Sequence, residues 1–218
     1  MPTSPRALIV MIILLLAAVI GLAVFWQPQF VGQFGKAPTP GGGDFVLTSA
    51  DGPVDTATLR GKAVLIYFGY TFCPDICPTA LTAISAALKQ LSPAEAEQVK
   101  VVFVSVDPAR DTPQQMKDYV AFFHPNIVGV TGTAAQIEAV ARLYGAFYAR
   151  QDRGNNAAYT VDHSSWTYVL TPEGRLLGQI PHGASVETIL SAIRQSLSAK
   201  SAIATTTSTP PTPSKGNS

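Results

Sequence analysis

The two cysteines of the chain, Cys73 and Cys77, stand four residues apart in the run TFCPDICPTAL. A pair at this separation can close a disulfide, exchange it with a partner, or converge as thiolates on one metal ion, and spacing alone does not choose among these. Pro78 suits the first position of a helix, and a residue preceding proline avoids the α region, which places Cys77 at the N-cap and Cys73 in the loop before it. The positive end of the helix dipole lowers the pKa of a thiol placed there, making it a better nucleophile and a better metal ligand. A purely structural bridge is disfavoured, because closing so short a loop removes little chain entropy. His163, in VDHSSW, is the third candidate. Two sulfurs and one nitrogen form a donor set suited to Cu(I), Cu(II) or Zn(II), if the fold brings the imidazole to the thiols.

The surrounding elements supply that condition. AVLIYFGY (63–70) and KVVFVSVD (100–107) are apolar on both parities, as strands buried on both faces are. Between them Leu81, Ile84, Leu88 and Leu91 recur at helical spacing, so strand, helix and strand form a βαβ crossover of a parallel sheet. Thr112 before Pro113 opens a helix to about Phe123; a strand over Ile127–Val130 and a helix over Thr133–Tyr144 follow. SWTYVL, the turn TPEG and RLLGQI read as a β-hairpin, and Ser185–Leu197 as a closing helix. This order is that of a thioredoxin-like α/β fold, in which the segment before the hairpin packs on the N-terminus of the cysteine helix and carries His163 to the thiols.

The rest of the chain frames this unit, which covers residues 44–198. Residues 8–25 are apolar throughout apart from Gly21, and about 18 helical residues span about 27 Å, close to the thickness of a bilayer core. We read them as one uncleaved transmembrane helix, with Arg6 in a short cytoplasmic segment (1–7) and Trp26 at the exit, so that the domain is exported. Residues 26–43 form a Pro/Gly-rich linker and residues 199–218 a disordered Ser/Thr/Pro-rich tail. With 15 Lys+Arg against 14 Asp+Glu and a net charge of +1, the chain lacks the basic excess of a nucleic-acid binder.

YFGYTFCPDICPTAL, VFVSVDPARDTP and VDHSSWTYVLTPEGRL together resemble the signatures of the Sco/SenC family, membrane-anchored thioredoxin-like proteins of copper delivery to cytochrome c oxidase. The resemblance implies that Cys73, Cys77 and His163 are copper ligands and that the cysteines form a redox-active pair. It implies a metallochaperone rather than an enzyme, with the copper-site subunit of the oxidase as partner and another periplasmic copper chaperone or a thiol reductant as further candidates. The site is then periplasmic on a bacterial inner membrane, with the mitochondrial intermembrane space as the alternative. Family members are considered as carriers, as thiol reductants and as redox sensors. A dedicated disulfide oxidoreductase would carry C-x-x-C and a cis-proline before the hairpin, which the sequence lacks. A thiol peroxidase pattern also fails, since Ile66 and Tyr70, or Tyr70 and Pro74, occupy its proline and hydroxyl positions.

Other residues read more plainly. His124 and His182 adjoin prolines in loops and are read as surface residues, and Met116 as core. Asp75 either tunes the site's charge or favours the first helical turn, and Asp162 is read as a solvated or capping residue. Asp107, Arg110 and Asp111 form a loop-shaping ion cluster, with a docking patch as the weaker alternative. Tyr67, Phe68, Tyr70 and Phe72 pack the strand and shield the site.

Overall fold

The structure is a computed structural model that describes residues 41–152 and 159–206, with isolated positions between 11 and 19. The expected membrane anchor (8–25), the linker up to residue 40 and the tail beyond 206 lie outside the described residues. Among the described residues no helix is long and apolar enough to cross a membrane.

A five-stranded mixed sheet organises the domain, in the order β5 (Ile127–Val130), β4 (Val99–Ser105), β3 (Ala63–Gly69), β8 (Thr167–Leu170), β9 (Leu176–Ile180). β3, β4 and β5 are mutually parallel, and β8 pairs antiparallel with β3 and with β9. All seven residues of β3 are buried, which accounts for its lack of polar alternation. The sequence expectations for β3, β4, β5 and the β8–β9 hairpin hold.

Alternate residues of β3 feed two apolar layers. Tyr67 stacks on Phe103 of β4, which stacks on Tyr119 of α3 (Pro113–Ala121). Phe68 packs with Tyr168 and with Tyr144 of α4 (Ala134–Tyr144), on the opposite face. α1 (Ile76–Leu88) links β3 to β4 and packs against the closing helix α5 (Val186–Thr206). Capping boxes at Thr112 with Gln115 and at Thr133 with Gln136 start α3 and α4, and Gly145, at φ 62°, ends α4. Met116 is fully buried, as expected.

Two boundaries differ from the sequence reading, and several small elements add to it. α1 starts at Ile76 with Asp75 at its N-cap, so Cys77 lies inside the first turn rather than at the cap. The first N–H groups of a helix have no intrahelical partner, so a proline fits anywhere in that turn and marks its start only loosely. α5 runs on to Thr206, so residues 199–206, assigned to the tail, continue the helix; Ala, Lys and Ser in SAKSAIA offer no breaker to stop it. Several small elements escaped the periodicity reading: the hairpin β1 (Val46–Ser49) and β2 (Gly52–Asp55), the helix α2 (Pro93–Glu97), and a second hairpin of β6 (Tyr148–Gln151) and β7 (Thr160–His163). At four or five residues each, they are too short for a period to register.

Candidate metal centre

Cys73 follows the end of β3, where the chain turns and its N–H donates to the Tyr70 carbonyl at 3.2 Å. Cys77 comes one turn later, inside α1, and is fully buried, while Cys73 keeps 8% of its surface exposed. His163 ends β7. The Cys73 and Cys77 sulfurs and one His163 nitrogen lie within 4.8 Å of one another, with Cys77 Sγ 3.3 Å from His163 Nε2. Two ligands bound at about 2.3 Å to one ion stand at most about 4.6 Å apart, so small side-chain rotations bring all three donors onto a common ion. The sequence thus brought together the three residues that the fold brings together. Neither His124 nor His182 joins them.

The packing explains the precision. Gly69 gives Cys77 its room, because a Cβ at residue 69 would stand 2.6 Å from Cys77 Sγ and 2.8 Å from the Phe103 ring. Tyr67 and Tyr70 present their rings edge-on to the imidazole, at centroid distances of 6.3 and 5.8 Å. His163 Nδ1 lies 2.9 Å from the Ser164 carbonyl, an acceptor only, so Nδ1 donates to it and Nε2 is the nitrogen that faces the sulfurs.

The two thiols are driven apart electrostatically. The Cys77 thiol, hydrogen-bonded to the Cys73 sulfur, holds Cys73 well below the ordinary thiol range, at about 3, and His163 and the backbone N–H groups of Asp75 and Cys77 act in the same direction against the cost of burial. Burial pushes Cys77 up, reinforced by the neighbouring Cys73 thiolate. Reduced, the pair therefore consists of a thiolate at the rim and a thiol in the interior. Burial also raises Tyr67, whose hydroxyl donates to the Ile76 carbonyl at 3.4 Å and stays protonated. The site opens into a depression of about 440 Å³ lined by Tyr70, Cys73, Pro74, Asp75, Val161 and His163.

The loop DPARDTP holds both ligand-bearing segments. Asp111, 1% exposed, accepts from the Thr71 hydroxyl at 2.5 Å, from the Thr71 N–H at 3.2 Å and from the Ser105 hydroxyl at 2.6 Å. Asp107 pairs with Arg110 and accepts from the Tyr159 hydroxyl at 2.6 Å. The expected ion cluster holds for Asp107 and Arg110, whereas Asp111 shapes the loop through the Thr71 and Ser105 donors and forms no ion pair among the described residues. Thr71, Ser105, Tyr159, Ser164 and Gly69 were not singled out from the sequence; Thr71 and Tyr159 act through contacts distant in sequence, Ser164 through its carbonyl on the adjacent His163, and only the proximity of Gly69 and Thr71 to the cysteine motif hinted at a role.

Three expectations are corrected or refined. Phe72 does not pack the strand: it is 54% exposed, with the Arg110 guanidinium 4.7 Å from its ring, because the chain has left the sheet at Gly69 and turns outward before Cys73. Asp162 is exposed and accepts from Gln151, and Asp75 occupies the N-cap position and accepts from Thr79.

Comparison with known proteins settles the family. A family model described as SCO1/SenC matches residues 35–198. The chain belongs to the SCO1/SenC family. It is 36% identical over 160 residues to the mitochondrial protein SCO2 of Saccharomyces cerevisiae, covering 72% of this chain and 53% of that one. It is 43% identical over 133 residues to the mitochondrial SCO1 homolog 1 of Arabidopsis thaliana, covering 61% of this chain and 40% of that one. The SCO1/SenC chain thus spans about half the length of these curated relatives. Among solved structures, Bradyrhizobium japonicum ScoI with copper bound superposes with a TM-score of 0.65 at 36% identity, covering 71% of this chain and 98% of that one.

Proposed function

We propose that this protein carries copper, bound by Cys73, Cys77 and His163, to a partner in cytochrome c oxidase assembly. The observation that carries the reading is the convergence of two sulfurs and a correctly presented imidazole nitrogen within 4.8 Å at the mouth of a depression. Structures of relatives with copper bound, and the description of the Sco family as cytochrome c oxidase assembly proteins, support the cargo and the partner. The apolar run at residues 8–25 supports an anchor that keeps the domain at the membrane where the oxidase resides, with the copper-site subunit as recipient.

The donor set fits both copper oxidation states: two thiolates hold Cu(I), and the imidazole completes a site for Cu(II). A Cys73–Cys77 disulfide has no thiolate to offer. A dithiol donor reduces it, becoming a disulfide itself as two electrons and two protons pass to the cysteines, and loading becomes available. Unloading follows by ligand exchange through the depression. The split between a rim thiolate and an interior thiol favours a second reading, thiol-disulfide exchange with partner cysteines, in which Cys73 attacks and Cys77 resolves.

The test is copper stoichiometry and spectroscopy of the reduced full-length chain beside Cys73→Ala, Cys77→Ala and His163→Ala. One copper per chain, lost in the cysteine variants and held weakly as Cu(II) in the histidine variant, is the expected result. A reduced chain that binds no copper, with both thiols free, refutes the carrier reading and leaves the exchange reading.

A further inference from the structure

His163 does not sit on the main sheet. Its hairpin, β6–β7, is a separate two-stranded sheet that among the described residues makes no strand pairing with the five-stranded one. The cysteines, by contrast, follow directly from the central strand β3 into α1. The mutual geometry of the three donors therefore depends on whatever ties β7 to the body. Within β7 and the residue before it, only Val161 is buried.

Apart from the contact of His163 Nε2 with Cys77 Sγ itself, three hydrogen bonds among the described residues make that tie. The Val161 N–H donates to the Tyr70 hydroxyl at 3.3 Å. The Tyr159 hydroxyl donates to Asp107 Oδ1 at 2.6 Å, and Arg110 Nη1 donates to the Tyr159 carbonyl at 3.1 Å. Asp107 and Arg110 are themselves paired, so the last two bonds close a ring that grips Tyr159 by both its side chain and its backbone. The ring of Tyr159 is also held between two guanidinium groups, those of Arg110 at 3.7 Å and Arg150 at 3.6 Å from its centroid. Arg150 belongs to β6, so this stack spans from the DPARDTP loop, through Tyr159, to the outer strand of the hairpin.

We propose that Tyr159, gripped by Asp107 and Arg110, is the positioning residue that sets His163 against the cysteine pair. The inference rests on the copper reading above. Asp111 in the same loop fixes Thr71, two residues before Cys73, whereas Asp107 and Arg110 fix Tyr159, four residues before His163. One loop thus sets the position of both halves of the site. A hydroxyl donating to a carboxylate is the stronger class of hydrogen bond, and here the hairpin has no ladder to substitute for it.

The experiment compares the full-length chain with Tyr159→Phe, which keeps the stacked ring and deletes only the bond to Asp107, and with Arg110→Lys, which loses the planar fork that reaches the Tyr159 carbonyl. We expect Cu(II) release faster by about tenfold in each, with shifted thiolate-to-Cu(II) charge-transfer bands. Cu(I), held by the two thiolates, changes by less than about twofold. In the copper-free reduced chain, amide exchange at Val161, Asp162 and His163 accelerates while β3 and β4 keep their protection. Wild-type Cu(II) spectra and release rates with unchanged hairpin exchange overturn the proposal, as does an equal loss of protection in β3 and β4, which marks Tyr159 as a general stability residue. If the wild-type chain binds no copper, the carrier reading fails, and the copper-free exchange pattern still decides whether Tyr159 positions His163.

Discussion

Replacing Gly69 by alanine adds a single carbon at the place where the site meets the core. Gly69 closes β3, and the added Cβ stands 2.6 Å from Cys77 Sγ, 2.8 Å from Phe103 Cε2 and 3.2 Å from Phe103 Cζ. Favourable carbon contacts lie at about 3.5–4.0 Å, so roughly 1 Å of relief is needed. Neither neighbour is a free end. Phe103 is fully buried between Tyr67 and Tyr119, and Cys77 lies on the first turn of α1. Overpacking of this kind costs about 1–3 kcal/mol. In a domain of this size each kcal/mol lowers the melting temperature by about 2–4 °C, so Gly69→Ala lowers it by roughly 2–12 °C. The displaced sulfur also spoils a three-donor site, and copper affinity falls by at least about tenfold even below the melting transition. Gly178→Ala is the internal control, since a Cβ there meets nothing within 4 Å. Calorimetry and copper titration of both variants provide the assay. A Gly69→Ala chain that melts and binds copper as the wild type does would falsify the claim that Gly69 sets the position of Cys77.

Two further outcomes follow from the electrostatics of the site and the loop. With Cys73 held at about 3 and Cys77 pushed upward by burial, Cys73 in the reduced, metal-free chain is a thiolate across the whole neutral range. Alkylation by iodoacetamide followed by mass spectrometry should mark Cys73 at a rate nearly flat from roughly pH 5 to 8 and leave Cys77 unmarked, whereas an ordinary thiol, with a pKa of about 8.5, would react about tenfold faster per pH unit over that span. Thr71→Val deletes the hydroxyl that donates to Asp111 at 2.5 Å and leaves a buried carboxylate with one partner fewer. We expect a loss of about 1.5–3 kcal/mol by denaturant titration. A Thr71→Val chain as stable as the wild type would show that Ser105 and the Thr71 N–H already satisfy Asp111.

What the sequence made legible follows from the length of the signals. β3 and β4 were readable because seven buried residues in β3 and six of seven in β4 leave no polar alternation, and α3 and α4 because Thr112 and Thr133 announce their starts. The donor set was readable because cysteine and histidine have few roles, and because the element order carried His163 to the thiols. The supports of the site were not readable. Tyr159 and Asp107 are 52 residues apart, and Thr71 and Asp111 are 40 apart, and no local pattern pairs them. Phe72 failed for a related reason: aromatic character says that a side chain tends to be buried, and the turn after Gly69, invisible to periodicity, decides that this one is not. The start of α1 was off because proline tolerates more than one position in a first turn.

The contrast in depth between the two sulfurs has a stereochemical consequence. Cys77 is sealed beneath Tyr67, Gly69 and Phe103, while Cys73 and His163 border the open depression. A ligand arriving from solvent can approach a held ion only from the side of the depression, so the first bonds exchanged are those at the mouth, and the bond to Cys77 is the last to break. Hand-over from such a site is sequential and polar, with a deep end that retains and a shallow end that yields. On the carrier reading proposed above, the protein would keep one covalent hold on its cargo until the recipient had made its own.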